Sequence, residues 1–136
     1  MKHLEATIYV PPTPKGRPRV TVIGGHAHAY TPKRTAIAQA DIKAAIRREV
    51  MAQGSFQDSK TPLVVSVTFY RARPEHLPKK VLYPVTKPDG TNYESLLFDA
   101  LNGYAWPDDR QVVDCHWRKR FGSPPRIELL IREEIE

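Results

Sequence analysis

Hydrophobic residues are spaced along this chain with two distinct periods. Leu4, Ala6, Ile8 and Val10 alternate with Glu5, Thr7 and Tyr9, the period of a strand with one buried face. Val20 to Ile23 and His26 to Tyr30 flank Gly24-Gly25, so a short hairpin is predicted there, glycine supplying the positive φ of a tight turn. From Thr35 to about Met51 the period changes. Ala38, Ile42, Ala45, Ile46 and Val50 mark one face of a helix, and Gly54 closes it. Leu63, Val65, Val67 and Phe69 alternate with Val64, Ser66, Thr68 and Tyr70, both sets largely apolar, which predicts a central strand covered on both faces. After a long loop, Ala72 to Gly90, Leu97, Ala100 and Leu101 predict a second helix of about three turns. Its start reads as a capping box, with Thr91 as N-cap and Glu94 as partner, and Gly103 occupies the left-handed C′ position. Strands follow at Gln111 to about Lys119 and at Arg126 to Arg132. The order predicts an α+β fold, a mixed sheet with two main helices packed against it.

Composition narrows the class. At 136 residues and 40% hydrophobic content, the chain suits one domain over 1–136 with a real core. Its 13 prolines gather at loops and strand edges, notably Pro11 to Pro18 and Pro84 to Pro88. Cys115 is the only cysteine, so no internal disulfide and no cysteine zinc cluster can form, and a reducing cytoplasm is the expected setting. No apolar run is long enough to span a membrane, and Met1 to Val10 lacks the apolar core of a signal peptide.

The formal charge of +6 raises the prospect of a nucleic-acid partner, because Lys and Arg release counterions from phosphates. Lys15, Arg17 and Arg19 alternate with Gly16 and Pro18 in an extended loop, and Lys33 and Arg34 open the first helix. Cations at a helix start are opposed by the dipole. These five side chains fit phosphate contacts that position DNA without reading sequence; a solvated basic loop is the alternative. Arg118, Lys119 and Arg120 form a second basic run, suited either to flanking a DNA arm or to a solvated strand end.

Chemistry concentrates between Asp89 and Asp109. Asp89 precedes the second helix, and Asp108 and Asp109 follow it. A helix of about eleven residues is roughly 16 Å long, so the carboxylates converge only if Tyr104 to Asp109 returns, extended, toward the helix start. Converged, they would suit Mg²⁺, a hard cation that takes oxygen ligands. Separately, Asp89 fits a turn or helix-end role and Asp108–Asp109 a solvated turn. Tyr104 and Trp106 fit packing better than base stacking, and His26 and His28, without a third ligand, fit a polar strand face.

In order along the chain, Pro14-Lys15-Gly16-Arg17-Pro18-Arg19, Tyr30-Thr31-Pro32-Lys33, Lys87-Pro88-Asp89, Asn92, Asp99-Ala100-Leu101-Asn102-Gly103 and Asp108-Asp109 resemble the RusA family of Holliday-junction resolvases. The resemblance implies a homodimeric endonuclease that uses Mg²⁺, with Mn²⁺ as a substitute, to nick four-way DNA junctions in recombination and repair. It assigns metal binding to Asp89 and Asp109, catalysis to these two and Asp108, and places Asn92 at the opening of the motif helix.

Two departures bear on turnover. Thr91 stands where the family has a second aspartate, and Ser95 where it often has a lysine. One negative charge and one stabiliser of phosphate are thereby missing, so a junction-binding protein with weakened or lost cleavage is the alternative expectation. Glu94 is the nearest spare carboxylate. Asp99 is placed as a helper or salt-bridge partner on the face of Asn92, and Asp114 lies in the following strand.

Overall fold

The computed structural model describes residues 2–135. Strand β1 (His3–Ile8) leads to a hairpin of β2 (Arg19–Ile23) and β3 (His26–Tyr30), then helix α1 (Lys33–Gln53) and strand β4 (Leu63–Arg71). Helix α2 (Gly90–Leu101), a single 3₁₀ turn (Asp109–Gln111), β5 (Val112–Phe121) and β6 (Arg126–Glu133) complete the chain. The four long strands form one sheet in the order β1-β6-β4-β5. Only the β4–β5 pair is parallel, the chain crossing between them through α2; β1–β6 and β4–β6 are antiparallel. The α+β reading of the sequence holds.

One face of the sheet supplies the core. Leu4, Ala6 and Ile8 from β1, Leu63, Val65, Val67 and Phe69 from β4, and Ile127, Leu129 and Ile131 from β6 are buried. They pack with Ile42 and Ile46 of α1 and with Leu96, Leu97 and Leu101 of α2. Single alternation along a strand follows because both helices lie on this side. The far side of β4 is less covered than its composition predicts: Val64 is buried, but Ser66 is exposed and Thr68 and Tyr70 are half-buried. The strand is central by neighbours, not by burial on both faces.

The helices differ from expectation at their ends. α1 starts at Lys33 with Pro32 at the N-cap, where proline's fixed φ suits helix entry. Its buried stripe is Thr35, Ala38, Ile42 and Ile46, and Ala45 faces solvent. Gly54, at φ 83°, ends the helix by donating its N–H to the Val50 carbonyl at 2.8 Å. No helix among the described residues is long and apolar enough to cross a membrane.

The β2–β3 hairpin stands apart as its own two-stranded sheet, with all ten residues exposed. Gly24 and Gly25 both take positive φ, 58° and 80°, as a two-residue hairpin turn demands. His26 pairs with Ile23 and His28 with Thr21, so the two histidines share a solvent face.

Candidate active site

Helix α2 orders the candidate residues. Asp89 is its N-cap, extended at φ −68° and ψ 150°, and its carboxylate makes no capping hydrogen bond. The helix has already begun at Gly90, so Thr91 is not the N-cap and the Thr91–Glu94 capping box does not form. Gly90 is buried beneath the Trp117 ring, and a Cβ there would collide with it, so this first helical position takes glycine. Thr91 and Asn92 are exposed.

Strand β5 runs beside α2 in the opposite sense. Trp117 covers Gly90, and Cys115 lies against Glu94. Burial pushes the Cys115 thiol up to about 12, helped by the Glu94 carboxylate, which also accepts its hydrogen bond, and by Asp114. One step on, the Lys119 ammonium donates to the carbonyls of Thr86 and Pro88, both at 3.1 Å. Asp114 and His116 turn to the uncovered side of the sheet and pair with each other at 3.0 Å.

The backbone of the proline-rich loop is anchored near the Asp89 end of α2. The Gly16 N–H donates to Thr35 Oγ1 at 2.9 Å and the Lys15 N–H to the Asn92 carbonyl at 3.3 Å, so the loop is tied to the first turns of both helices. Lys15 Nζ pairs with Asp99 Oδ2 at 2.6 Å, which makes Asp99 a salt-bridge residue and leaves Ser95, half-buried, one helical turn before it. Arg34, Arg71, Pro88 and Tyr93 line one depression with Pro11, Pro12 and Pro14. Burial raises the Tyr93 phenol, against the opposing pull of Arg71 and Arg34. Arg17 and Lys33 are exposed nearby in sequence, and Arg19 begins the free hairpin.

The other carboxylates sit at the far end of α2. After Leu101 the chain folds tightly: Gly103 takes φ 73°, the Ala105 N–H donates to the Leu101 carbonyl at 2.9 Å, and the Gly103 N–H donates to that of Trp106 at 2.7 Å. Trp106 is buried, as its aromatic character suggested, and its Nε1 donates to Asn102 Oδ1 at 2.7 Å. Asn102 Nδ2 in turn donates to Asp109 Oδ2 at 3.3 Å. Asp108 receives the Arg110 N–H at 3.0 Å, while its own N–H donates to Gln111 Oε1 at 3.3 Å. A capping box therefore exists, but on the 3₁₀ turn of Asp108 to Gln111.

Asp89 and Asp109 are thus at opposite ends of a twelve-residue helix, about 18 Å of rise. The extended return that convergence required is absent. Among the described residues no group of three His, Cys, Asp or Glu side chains could hold a metal ion. The oxygen donors are of the type Mg²⁺ takes, but one chain does not assemble them. Arg71 is the structure's addition to this neighbourhood, and of the basic run Arg118 to Arg120 it is Lys119 that reaches the segment before Asp89. Lys119 shares the strand parity of Cys115 and Trp117, a signal available in the sequence once α2 is known to lie on that face.

Residues 10–132 match the family described as endodeoxyribonuclease RusA. The chain belongs to the RusA family. It is also 34% identical over 139 residues, 98% of either chain, to a Bacillus subtilis (strain 168) protein called "Uncharacterized protein YqaN". The general activity of the RusA family is that of an endodeoxyribonuclease.

Proposed function

We propose that this protein is a divalent-metal-dependent endonuclease that acts as a homodimer and resolves four-way DNA junctions by paired phosphodiester hydrolysis in recombination and repair. The observation that carries this reading is the RusA match over 10–132, together with a basic loop whose backbone is tied to the first turns of both helices through Lys15 and Gly16. Arg17, Lys33 and Arg34 take the phosphates of a DNA arm beside the first turn of α1, Lys15 joins them on exchanging Asp99 for a phosphate, and Arg19 extends the contact onto the hairpin.

Dimerisation answers the separation of the carboxylates. A second copy can bring its own Asp108–Asp109 end to the Asp89 end of the first, and Asp89 of one copy with Asp109 of the partner subunit would then be the residues that hold a divalent ion. A divalent ion bound there supplies an activated water and neutralises charge on the phosphate. Asp108, bound to the Arg110 N–H, keeps the 3₁₀ turn in shape beside Asp109. Thr91 offers a neutral oxygen and Ser95 no cation, so turnover depends on fewer charges than the family pattern provides.

The test is nicking of a synthetic four-way junction with Mg²⁺ or Mn²⁺, beside linear duplex. Junction cleavage that Asp89→Asn abolishes is expected. Equal cutting by wild type and Asp89→Asn sinks the site assignment; binding without cutting favours the alternative, a junction-binding protein of the same fold weakened by Thr91 and Ser95.

A further inference from the structure

We infer that Lys119 is a phosphate-binding residue of the cleavage site, held beside Asp89 by two backbone carbonyls with one N–H left for the DNA. The inference rests on the proposed junction endonuclease and assigns a group that the acidic motif does not contain.

An ammonium carries three N–H donors and no acceptor. Lys119 directs two of them to the carbonyls of Thr86 and Pro88, 3.1 Å each. These acceptors are one and three residues before Asp89, so the charge is fixed at the segment that ends in that carboxylate. Neither carbonyl neutralises it. The ion pairs of the described residues join Lys15 to Asp99, His116 to Asp114 and Arg126 to Glu128, and Lys119 is in none of them. The ammonium keeps its full charge and one free donor, and a phosphate oxygen is the anion that a DNA-cleaving surface would bring. Strand parity isolates this side chain from its neighbours in the run. Lys119 follows Trp117 on the α2 side, whereas Arg118 lines the opposite, uncovered face with His116, Ser66 and Glu128. Arg120 stacks over the Tyr83 ring at 5.7 Å. Of three consecutive cations, one is aimed at the site.

The experiment is junction binding in EDTA across a salt series, where turnover plays no part, for wild type, Lys119→Met, Lys119→Arg and Arg118→Met. A phosphate contact predicts that Lys119→Met lowers the slope of log K against log salt by about one. Lys119→Arg should restore it, and Arg118→Met, an equal loss of charge on the other face, should leave most of it. Nicking by Lys119→Met in Mg²⁺ should fall about 10²-fold, with Lys119→Arg recovering most of it while both variants keep the native circular dichroism spectrum. A slope unchanged in Lys119→Met, or lowered equally by Arg118→Met, overturns the inference and leaves Lys119 a strap for the loop. Failure of wild type to bind junction DNA at low salt overturns the endonuclease reading with it, and cutting by Asp89→Asn at the wild-type rate overturns the metal-site assignment alone.

Discussion

Asn102 ties Asp109 to the C-terminal end of α2, Nδ2 donating to Oδ2 at 3.3 Å, while Asp89 caps the other end. If one ion is shared between two copies, the two inactive variants should complement. Asp89→Asn and Asp109→Asn homodimers are each expected to lose both sites. A heterodimer of the two places both substitutions in one site and leaves the other intact. Mixed and reannealed subunits should therefore recover single-strand nicking of a junction in proportion to the heterodimer fraction. No recovery in verified heterodimers would place all the ligands within each chain.

Trp106 should matter to stability more than to DNA. It is 1% exposed and holds Asn102 through its indole N–H. Trp106→Ala is expected to cost about 3–5 kcal/mol. Trp106→Phe removes the donor to a partly buried amide and should cost about 1–3 kcal/mol. Urea unfolding checks both, and a change in midpoint without a change in slope m is the expected form.

Gly90 and Trp117 should behave as a coupled pair. A methyl group at Gly90 meets the indole ring, so Gly90→Ala is expected to destabilise by about 1–3 kcal/mol. Trp117→Ala removes the obstacle. In the Gly90→Ala/Trp117→Ala double variant the glycine substitution should lose most of its cost, and additive effects in the cycle would contradict the contact.

Cys115 should resist alkylation. Its thiol is raised from 9.0 to about 12, first by burial and then by Glu94, so thiolate is scarce in the native state at pH 8 and iodoacetamide should react mainly after unfolding. Glu94→Gln should lower the thiol pKa and speed the reaction. The linked stability has a definite sign. Between about pH 9 and 12 the unfolded chain binds fewer protons than the native one, so this contribution is present below pH 9 and declines as pH rises through the folded value.

The two departures from the RusA pattern can be tested by reversal. Thr91 is exposed on the first turn of α2 and carries no capping bond, so aspartate there should cost the fold little. Thr91→Asp with Ser95→Lys is expected to raise the nicking rate by about tenfold or more, on the scale of adding one charged stabiliser. An unchanged rate would mean that neither position limits turnover.

Much of the architecture was legible because it depends on short-range alternation. Leu4, Ala6 and Ile8, or Gly24-Gly25 between two strand-like runs, carry their own instruction. The start of α2 was not: the Thr91–Glu94 spacing satisfies the local capping rule, yet the helix begins at Gly90 with Asp89 at the N-cap, and the ring that packs on Gly90 comes from Trp117, 27 positions on. Convergence of the carboxylates failed for a related reason. The sequence permits an extended return from Tyr104 to Asp109, but hydrogen bonds from Ala105 to Leu101 and from Trp106 to Asn102 hold the chain at the helix end. Long-range packing and loop direction are not written in residue spacing.

Helix α2 also limits how relatives of this chain can change length. Each residue inserted into it would lengthen the rod by about 1.5 Å and rotate everything after it by roughly 100°. Leu97, Ala100 and Leu101 would leave the core, and Asp109 would swing away from its place relative to Asp89. Insertions and deletions should accumulate instead in the segment of residues 72–88, whose ends are fixed by β4 and by α2, so the interval between the acidic groups should keep its length.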